Sequence, residues 1–267
     1  MKMFYSLLIA LVTITSSCKK EAVSDIQPGD TGDLVIEFDN IIGGTDLQLH
    51  TGVYTNAAGE SFKVSMLNYY ISNIVLTKED GSTYTVPRDS SYFLIKEENP
   101  EQEAHLKDIP AGNYTAISFT LGVDSLKNTA PVGERTGCLD PAGDGAGMYW
   151  TWNSGYIFLK MEGPADAATS GDKKFRYHIG GFGGYSSATI NNIKRVNLNI
   201  PAGSSAQVRK NKPKAPHIHV LADASKVMNG STNVSIAANT TVVFESYSVN
   251  IANNYAGMFR IDHVHND

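Results

Sequence analysis

The chain has 267 residues, 42% of them hydrophobic and 18% charged, with a formal net charge of −5. Charge is scarcer than the roughly 25% of an average globular domain, and no basic stripe appears, which argues against nucleic acid as a partner. Its Gly 24 and Pro 10 fall short of a disordered or collagen-like bias, and no internal stretch reaches the roughly 20 apolar residues of a spanning helix.

Residues 1–17 carry Lys2, an apolar run over 7–12 and small residues ending in Ser16 and Ser17, the profile of a signal peptide. Cys18 follows at once, preceded by Thr15, Ser16 and Ser17. That order is similar to a bacterial lipobox, with Thr15 in place of the usual leucine, so Cys18 is the expected lipidated first residue of the mature chain. A plain secretory signal with a chance cysteine is the alternative. Residues 18–32 read as a polar tether carrying Pro28, Gly29 and Gly32, and 33–267 as one folded domain. The expected location is the cell envelope, as a membrane-anchored lipoprotein facing the periplasm or the cell surface, with the outer membrane included. Lipidation of Cys18 leaves Cys138 without a disulfide partner in the monomer, either as an inert thiol or as a soft metal ligand.

Along the remaining chain the hydrophobic period is two. Strands are expected at 34–38, over 62–77 as one strand or a bent pair, and at 83–86 after an Asp80–Gly81 hairpin turn. Further strands are expected at 92–95, 114–121, 156–161, 175–179, 196–200, 217–221, 234–237 and 241–244. Helical signals are confined to a single turn at 224–228, stopped by Asn229–Gly230, and a short helix over 250–259. Many short strands set apart by Gly, Pro, Asn and Asp predict an all-β fold, a single antiparallel β-sandwich with long loops and one or two short helices. The longest connections, 122–148 and 201–215, are expected to be surface excursions and candidate functional loops.

Three segments carry chemistry. In 147–156 both tryptophans of the protein, Trp150 and Trp152, lie two residues apart and so face one side of an extended segment, with Met148 on the same side. They serve either as core, for which indole area is suited, or as a functional pair, since an electron-rich indole beside a redox metal is oxidisable. In 175–181, His178 sits mid-strand before Gly180 and Gly181, either as a satisfied strand histidine or as a ligand that glycines let another group approach. At the chain end His263 and His265 form a His-x-His pair, and His217 and His219 repeat it as a second candidate metal pair. In an extended segment that spacing projects both imidazoles to one side, and imidazole suits Zn, Cu, Ni and Fe. No Cys-x-x-Cys, His-Glu-x-x-His or Gly-x-Ser-x-Gly occurs, and no acid–base pair stands out, so an enzyme is not expected.

The run from Gly147 to Tyr156, followed by Leu159–Lys160–Met161–Glu162–Gly163 and by Phe175–Arg176–Tyr177–His178–Ile179–Gly180–Gly181, resembles the MbnP-like family, whose relatives include MbnP, MopE and CorA. Leu67–Asn68–Tyr69–Tyr70–Ile71–Ser72–Asn73, Ile109–Pro110–Ala111–Gly112–Asn113–Tyr114, Leu121–Gly122–Val123–Asp124 and the ending from Asn254 through His265 read like its lipoprotein branch. The resemblance spans most of 33–267, and the double-tryptophan motif is its most specific part. It implies a β-sandwich that binds copper outside the cytoplasm, through histidines together with kynurenine, an oxidised tryptophan. It also implies an MbnH-like di-haem peroxidase partner that performs the oxidation. His178 matches the family's His-hydrophobic-Gly motif, and Trp150 or Trp152 would be the oxidised residue. His263 and His265 match the lipoprotein branch alone. Not every histidine ligand of the copper-binding relatives has a counterpart here.

Three functions therefore stand: a lipid-anchored copper-binding protein, a metal-free β-sandwich interaction or adhesion module, and a carbohydrate-binding module using Tyr149, Trp150, Trp152 and Tyr156. Copper is expected to be lost as pH falls through the histidine range, because protonated imidazole does not ligate.

Overall fold

A computed structural model describes residues 26–99, 102–152 and 155–267. The expected signal segment and Cys18 lie outside them. The first strand, β1, runs Thr31–Ile42 and so takes up the last two residues of the expected tether. In chain order there follow β2 (Thr45–Asp46), β3 (Tyr54–Thr55), β4 (Ser61–Phe62), β5 (Met66–Lys78), β6 (Thr83–Thr85), β7 (Tyr92–Lys96), β8 (Glu103–Pro110) and β9 (Gly112–Leu121). After a short helix α1 (Ser125–Thr129) come β10 (Tyr149–Trp150), β11 (Gly155–Pro164), β12 (Lys174–Gly180), β13 (Lys194–Asn199), β14 (Ala206–Val208) and β15 (His217–Asp223). The chain closes with β16 (Thr241–Val242), α2 (Ser248–Tyr255) and β17 (Phe259–His265). No helix among the described residues is long and apolar enough to cross a membrane.

Two sheets face each other across one core. The smaller runs β17-β15-β1, with β2 and β8 on the far side of β1; the larger runs β13-β9-β5-β11-β12-β16. Phe38 of β1 and Phe259 of β17 meet Tyr69 of β5 and Phe119 of β9 edge-to-face, at centroid distances of 5.1 to 6.2 Å, and so bridge the two sheets. The pairing is mostly antiparallel as expected, but β1 runs parallel to β15 and β12 parallel to β16. Parallel pairs require long crossovers, and here most of the domain intervenes between β1 and β15.

A second core lies on the outer side of the large sheet. Tyr70, Val123, Leu139, Met148, Trp150, Tyr156 and Phe158 form it. Consecutive residues of a strand point to opposite faces, so Tyr69 enters the main core and Tyr70 the second one. With both faces covered, β5 is buried almost without a break from Leu67 to Leu76. Segment 122–148 runs over the surface as expected, with Leu126 and Val132 exposed, but its inner side roofs apolar residues. It is fastened by Tyr70 Oη donating to Cys138 O at 2.7 Å, Tyr156 Oη to Leu139 O at 2.7 Å and Ser72 Oγ to Gly122 O at 2.7 Å. Cys138 is half-buried there with no disulfide partner among the described residues, and burial pushes its thiol up to about 11, which keeps it protonated.

Other expectations are corrected locally. Residues 234–237 form no strand, because the Glu60 carboxylate takes the amides that a neighbouring strand would bind: Ile236 N at 2.6 Å and Ala237 N at 3.0 Å. The strand expected at 241–244 stops at Val242, where the chain turns Phe244 onto Trp150, 6.1 Å between centroids. The loop expected at 201–215 contains β14, which pairs with β9.

Candidate metal centre

The outer face of the small sheet is built by strict alternation. In β15 Ile218, Val220 and Ala222 are buried in the main core, so His217, His219 and Leu221 point the other way. In β1 Leu34, Ile36 and Phe38 go inward and Val35, Glu37 and Asp39 outward. Register then brings the histidines together: His217 lies opposite His265, His219 opposite His263, and on the other side His219 stands beside Glu37. Beyond β1, His105 of β8 sits opposite Val35. Five of the protein's seven histidines thus share one face of one sheet, and only the His-x-His pairs among them were legible as candidates.

A bulge completes the arrangement. Pairing of β15 with β17 slips between His219 and Val220, leaving Asp262 as the extra residue. Asp262 Oδ2 is thereby 2.8 Å from His263 Nδ1. This hydrogen bond lowers the carboxyl's pKa, and a carboxylate bound there holds the ring proton on Nδ1. His263 Nε2 then carries the lone pair, 2.9 Å from His265 Nε2. His219 stacks on His263 with centroids 4.3 Å apart and planes at 12°, and its Nδ1 is 3.2 Å from Glu37 Oε2. Burial lowers the His219 pKa; Glu37 opposes this, and the other three histidines reinforce it. A neutral imidazole with one nitrogen bound to a carboxylate is the protonation state a metal ligand needs.

Ligand atoms of His219, His263 and His265 all lie within 4.8 Å of one another, as do those of Glu37, His217 and His219. Two imidazole nitrogens each about 2.0–2.1 Å from one ion are at most about 4.2 Å apart. Small rotations of half-exposed side chains therefore suffice, and the donor set fits a transition metal that accepts nitrogen.

His178 and the tryptophans stand on the other side of the sandwich. Phe175, Tyr177 and Ile179 of β12 face the main core, which turns His178 and Gly180 outward on the large sheet. His178 Nε2 is 2.7 Å from Glu162 Oε1. Burial lowers the His178 pKa more than Glu162 raises it, with Lys160 adding to the lowering. The neutral ring thus donates a hydrogen bond from Nε2–H to the carboxylate and leaves Nδ1 as acceptor. Trp150 is 5% exposed and lies over Gly180, where a Cβ would come within 2.8 Å of its ring. Trp152 packs against it, tilted by 40° at 5.4 Å between centroids, and is 66% exposed, so the pair divides between core and surface. Facing sheets are about 10 Å apart, so His178 and the four-histidine block do not share an ion.

The sequence model of the MbnP family matches residues 31–249. The chain belongs to the MbnP family. The matched span holds Trp150, Trp152, His178, His217 and His219, and ends before His263 and His265. MbnP from Methylosinus trichosporium has a similar fold, with a TM-score of 0.51 at 15% identity over 79% of this chain and 83% of that one. A search of the curated proteins gives no match.

Proposed function

We propose that this MbnP-family protein binds copper outside the cytoplasm, held to a membrane by lipid on Cys18. The observation that carries the copper reading is the convergence of His219, His263 and His265, with ligand atoms within 4.8 Å. Three imidazoles would hold the ion, with Glu37 and Asp262 setting their tautomers and His217 beside them as a further donor. Copper stands at the top of the divalent affinity order for nitrogen sites, ahead of zinc, and an extracytoplasmic compartment does not restrict it to the thiol-bound cuprous form. The protein's role is to hold or hand on the metal, with no catalytic step of its own.

The family resemblance supports an additional feature on the opposite face, one tryptophan oxidised to kynurenine beside His178. Trp152, being exposed, is the indole an external oxidant reaches, and an MbnH-like di-haem peroxidase is the partner that would supply the oxidising equivalents. The test is metal analysis of mature protein from its native host, with mass mapping of the peptide containing Trp150 and Trp152. Copper at one ion per chain, lost in His263→Ala, is the expected result. No copper after loading, with both tryptophans intact, would overturn the proposal and leave a metal-free interaction module.

A further inference from the structure

Beside the tryptophan pair, the second core opens into a cavity of about 610 Å³ that the copper reading does not use. Its size falls within the roughly 300–1,000 Å³ of small-molecule sites. Its walls include the aromatic rings of Tyr149, Phe182, Tyr185 and Phe244, with the Thr189 hydroxyl among its polar groups. Among the described residues Arg135 is the one charged side chain in the wall, and no aspartate or glutamate lines it.

Arg135 is only 8% exposed. Its Cζ sits 4.5 Å from the centroid of Tyr149 and 5.8 Å from that of Tyr156, so the guanidinium is clasped against two phenol rings. Nε donates to Ala130 O at 3.2 Å, and Nη2 donates to Ala130 O at 3.0 Å and Asn128 O at 3.3 Å. Nη1 has no hydrogen-bond partner among the described residues, and no carboxylate there forms an ion pair with Arg135. A buried charge is ordinarily paired, and a guanidinium held among carbonyls and rings in a chain of net charge −5 is an exception that an anionic guest would resolve.

A glycine-bearing loop supplies another part of the wall. Gly181, Gly183 and Gly184 all have positive φ, at 111°, 96° and 101°. Backbone bonds from Gly183 N to Ile190 O at 3.0 Å, Thr189 N to Gly183 O at 3.0 Å and Asn192 N to Gly181 O at 2.8 Å close the loop that carries Phe182 and Tyr185. A side chain at Gly184 would strike the carbonyl of Ser187, so the loop is shaped around the cavity by its glycines.

We infer that this cavity binds a small aromatic monocarboxylate, its ring between the aromatic walls and its carboxylate at Arg135. Nη1 is itself buried, so a guest carboxylate reaches it by a small turn of the guanidinium, and one unpartnered nitrogen with no second cation in the described wall favours one negative charge over the two or more of a phosphate. Nothing in this inference requires a metal, so it stands or falls apart from the copper reading.

The experiment titrates benzoate, benzamide and inorganic phosphate into copper-free mature protein, followed by calorimetry. Benzoate is expected to bind saturably and at least about tenfold more tightly than benzamide, its neutral counterpart, a comparison that needs no variant. Arg135→Gln should abolish that preference. Val132→Glu provides a second probe that spares the fold, because Val132 is 73% exposed at the cavity mouth. The introduced carboxylate should weaken benzoate by repelling it or occupying Arg135. Equal binding of benzoate and benzamide, benzoate binding unchanged in both variants, tighter binding of phosphate, or no benzoate binding at millimolar concentration would each overturn the inference.

Discussion

Asp262→Asn is the most informative change to the histidine block, because it alters no ligand atom. Asp262 Oδ2 is 2.8 Å from His263 Nδ1, and this contact fixes the proton that leaves Nε2 free, 2.9 Å from His265 Nε2. Asparagine keeps an acceptor of the same shape but loses the charge that holds the ring in one tautomer. Loss of such an outer partner ordinarily weakens metal binding about 10–100-fold, or about 1.4–2.7 kcal/mol. Asp262 and His263 are each 46% exposed, and solvent screening places the expected effect near the lower end, about tenfold. The assay is copper titration against a competing chelator, with His263→Ala as the larger loss. Glu103→Gln is the control, since Glu103 bonds His105 at 2.7 Å, outside both ligand groups. Asp262→Asn, an isosteric change at a half-exposed side chain, should shift thermal stability of the copper-free protein by less than about 0.5 kcal/mol. Equal losses in Asp262→Asn and Glu103→Gln, or unchanged affinity in a folded His263→Ala, would refute the reasoning.

Acid should release copper and destabilise this sheet together. Burial holds the His219 pKa below its ordinary 6.5, so the unfolded chain takes up that proton first; the neutral ring's contribution is complete above 6.5 and is lost as pH falls below it. Copper retained unchanged well below that range would contradict the histidine site. Glu60→Gln should cost about 1–3 kcal/mol in urea unfolding, because an amide cannot accept all the bonds from Ile236 N, Ala237 N and Ser235 Oγ. Burial alone would raise the Glu60 pKa, yet the bonds from Ala237, Asn56, Ile236 and Ser235 leave it lowered. Its stabilisation is therefore present above the usual carboxylate range and lost as pH falls through the lowered value, so the gap between wild type and Glu60→Gln should close in acid. Gly180→Ala should strike the Tyr156 carbonyl and displace the Trp150 ring, costing about 1–3 kcal/mol and altering the near-ultraviolet circular dichroism of the tryptophans. Phe119→Ala, which removes one of the four rings of the inter-sheet aromatic cluster, should cost about 3–5 kcal/mol in the same unfolding assay.

Most of the β-framework was legible because its strands alternate. β9, β11, β12 and β15 appear within a few residues of their expected bounds, and the 250–259 helix appears as α2 at Ser248–Tyr255. β8 was not legible: Ala104, Leu106 and Ile109 are its buried positions, but Glu103, His105, Lys107 and Asp108 between them have weak strand preference. What segment 122–148 covers was not legible for a different reason. Its glycines, prolines and acids have loop composition, and what it covers is defined by Tyr70, Tyr156 and Phe158, which are distant in sequence. Whether a loop lies over water or over a second core is a tertiary fact.

The histidine block shows the same division at finer scale. Each His-x-His pair could be placed on one side of its own strand from sequence, and burial of Ile218 and Val220 fixes which side. A one-residue slip of β17 would exchange His263 and His265 with Val264, which packs against the core, so apolar alternation also locks the register that sets His219 against His263. What alternation does not encode is that residues 217–219 and 263–265 are neighbours, or that Glu37 lies beside them on β1. Nor does it encode the bulge: without Asp262 as the extra residue, no carboxylate would stand against His263 Nδ1, and Nε2 would not be directed at His265. The family span ends at residue 249, so it carries the half of the block on β15 and not the half on β17. Three converging imidazoles thus require both the family framework and an edge strand beyond its matched span, and a relative that keeps His217 and His219 but lacks the terminal pair should bind copper on this face far more weakly.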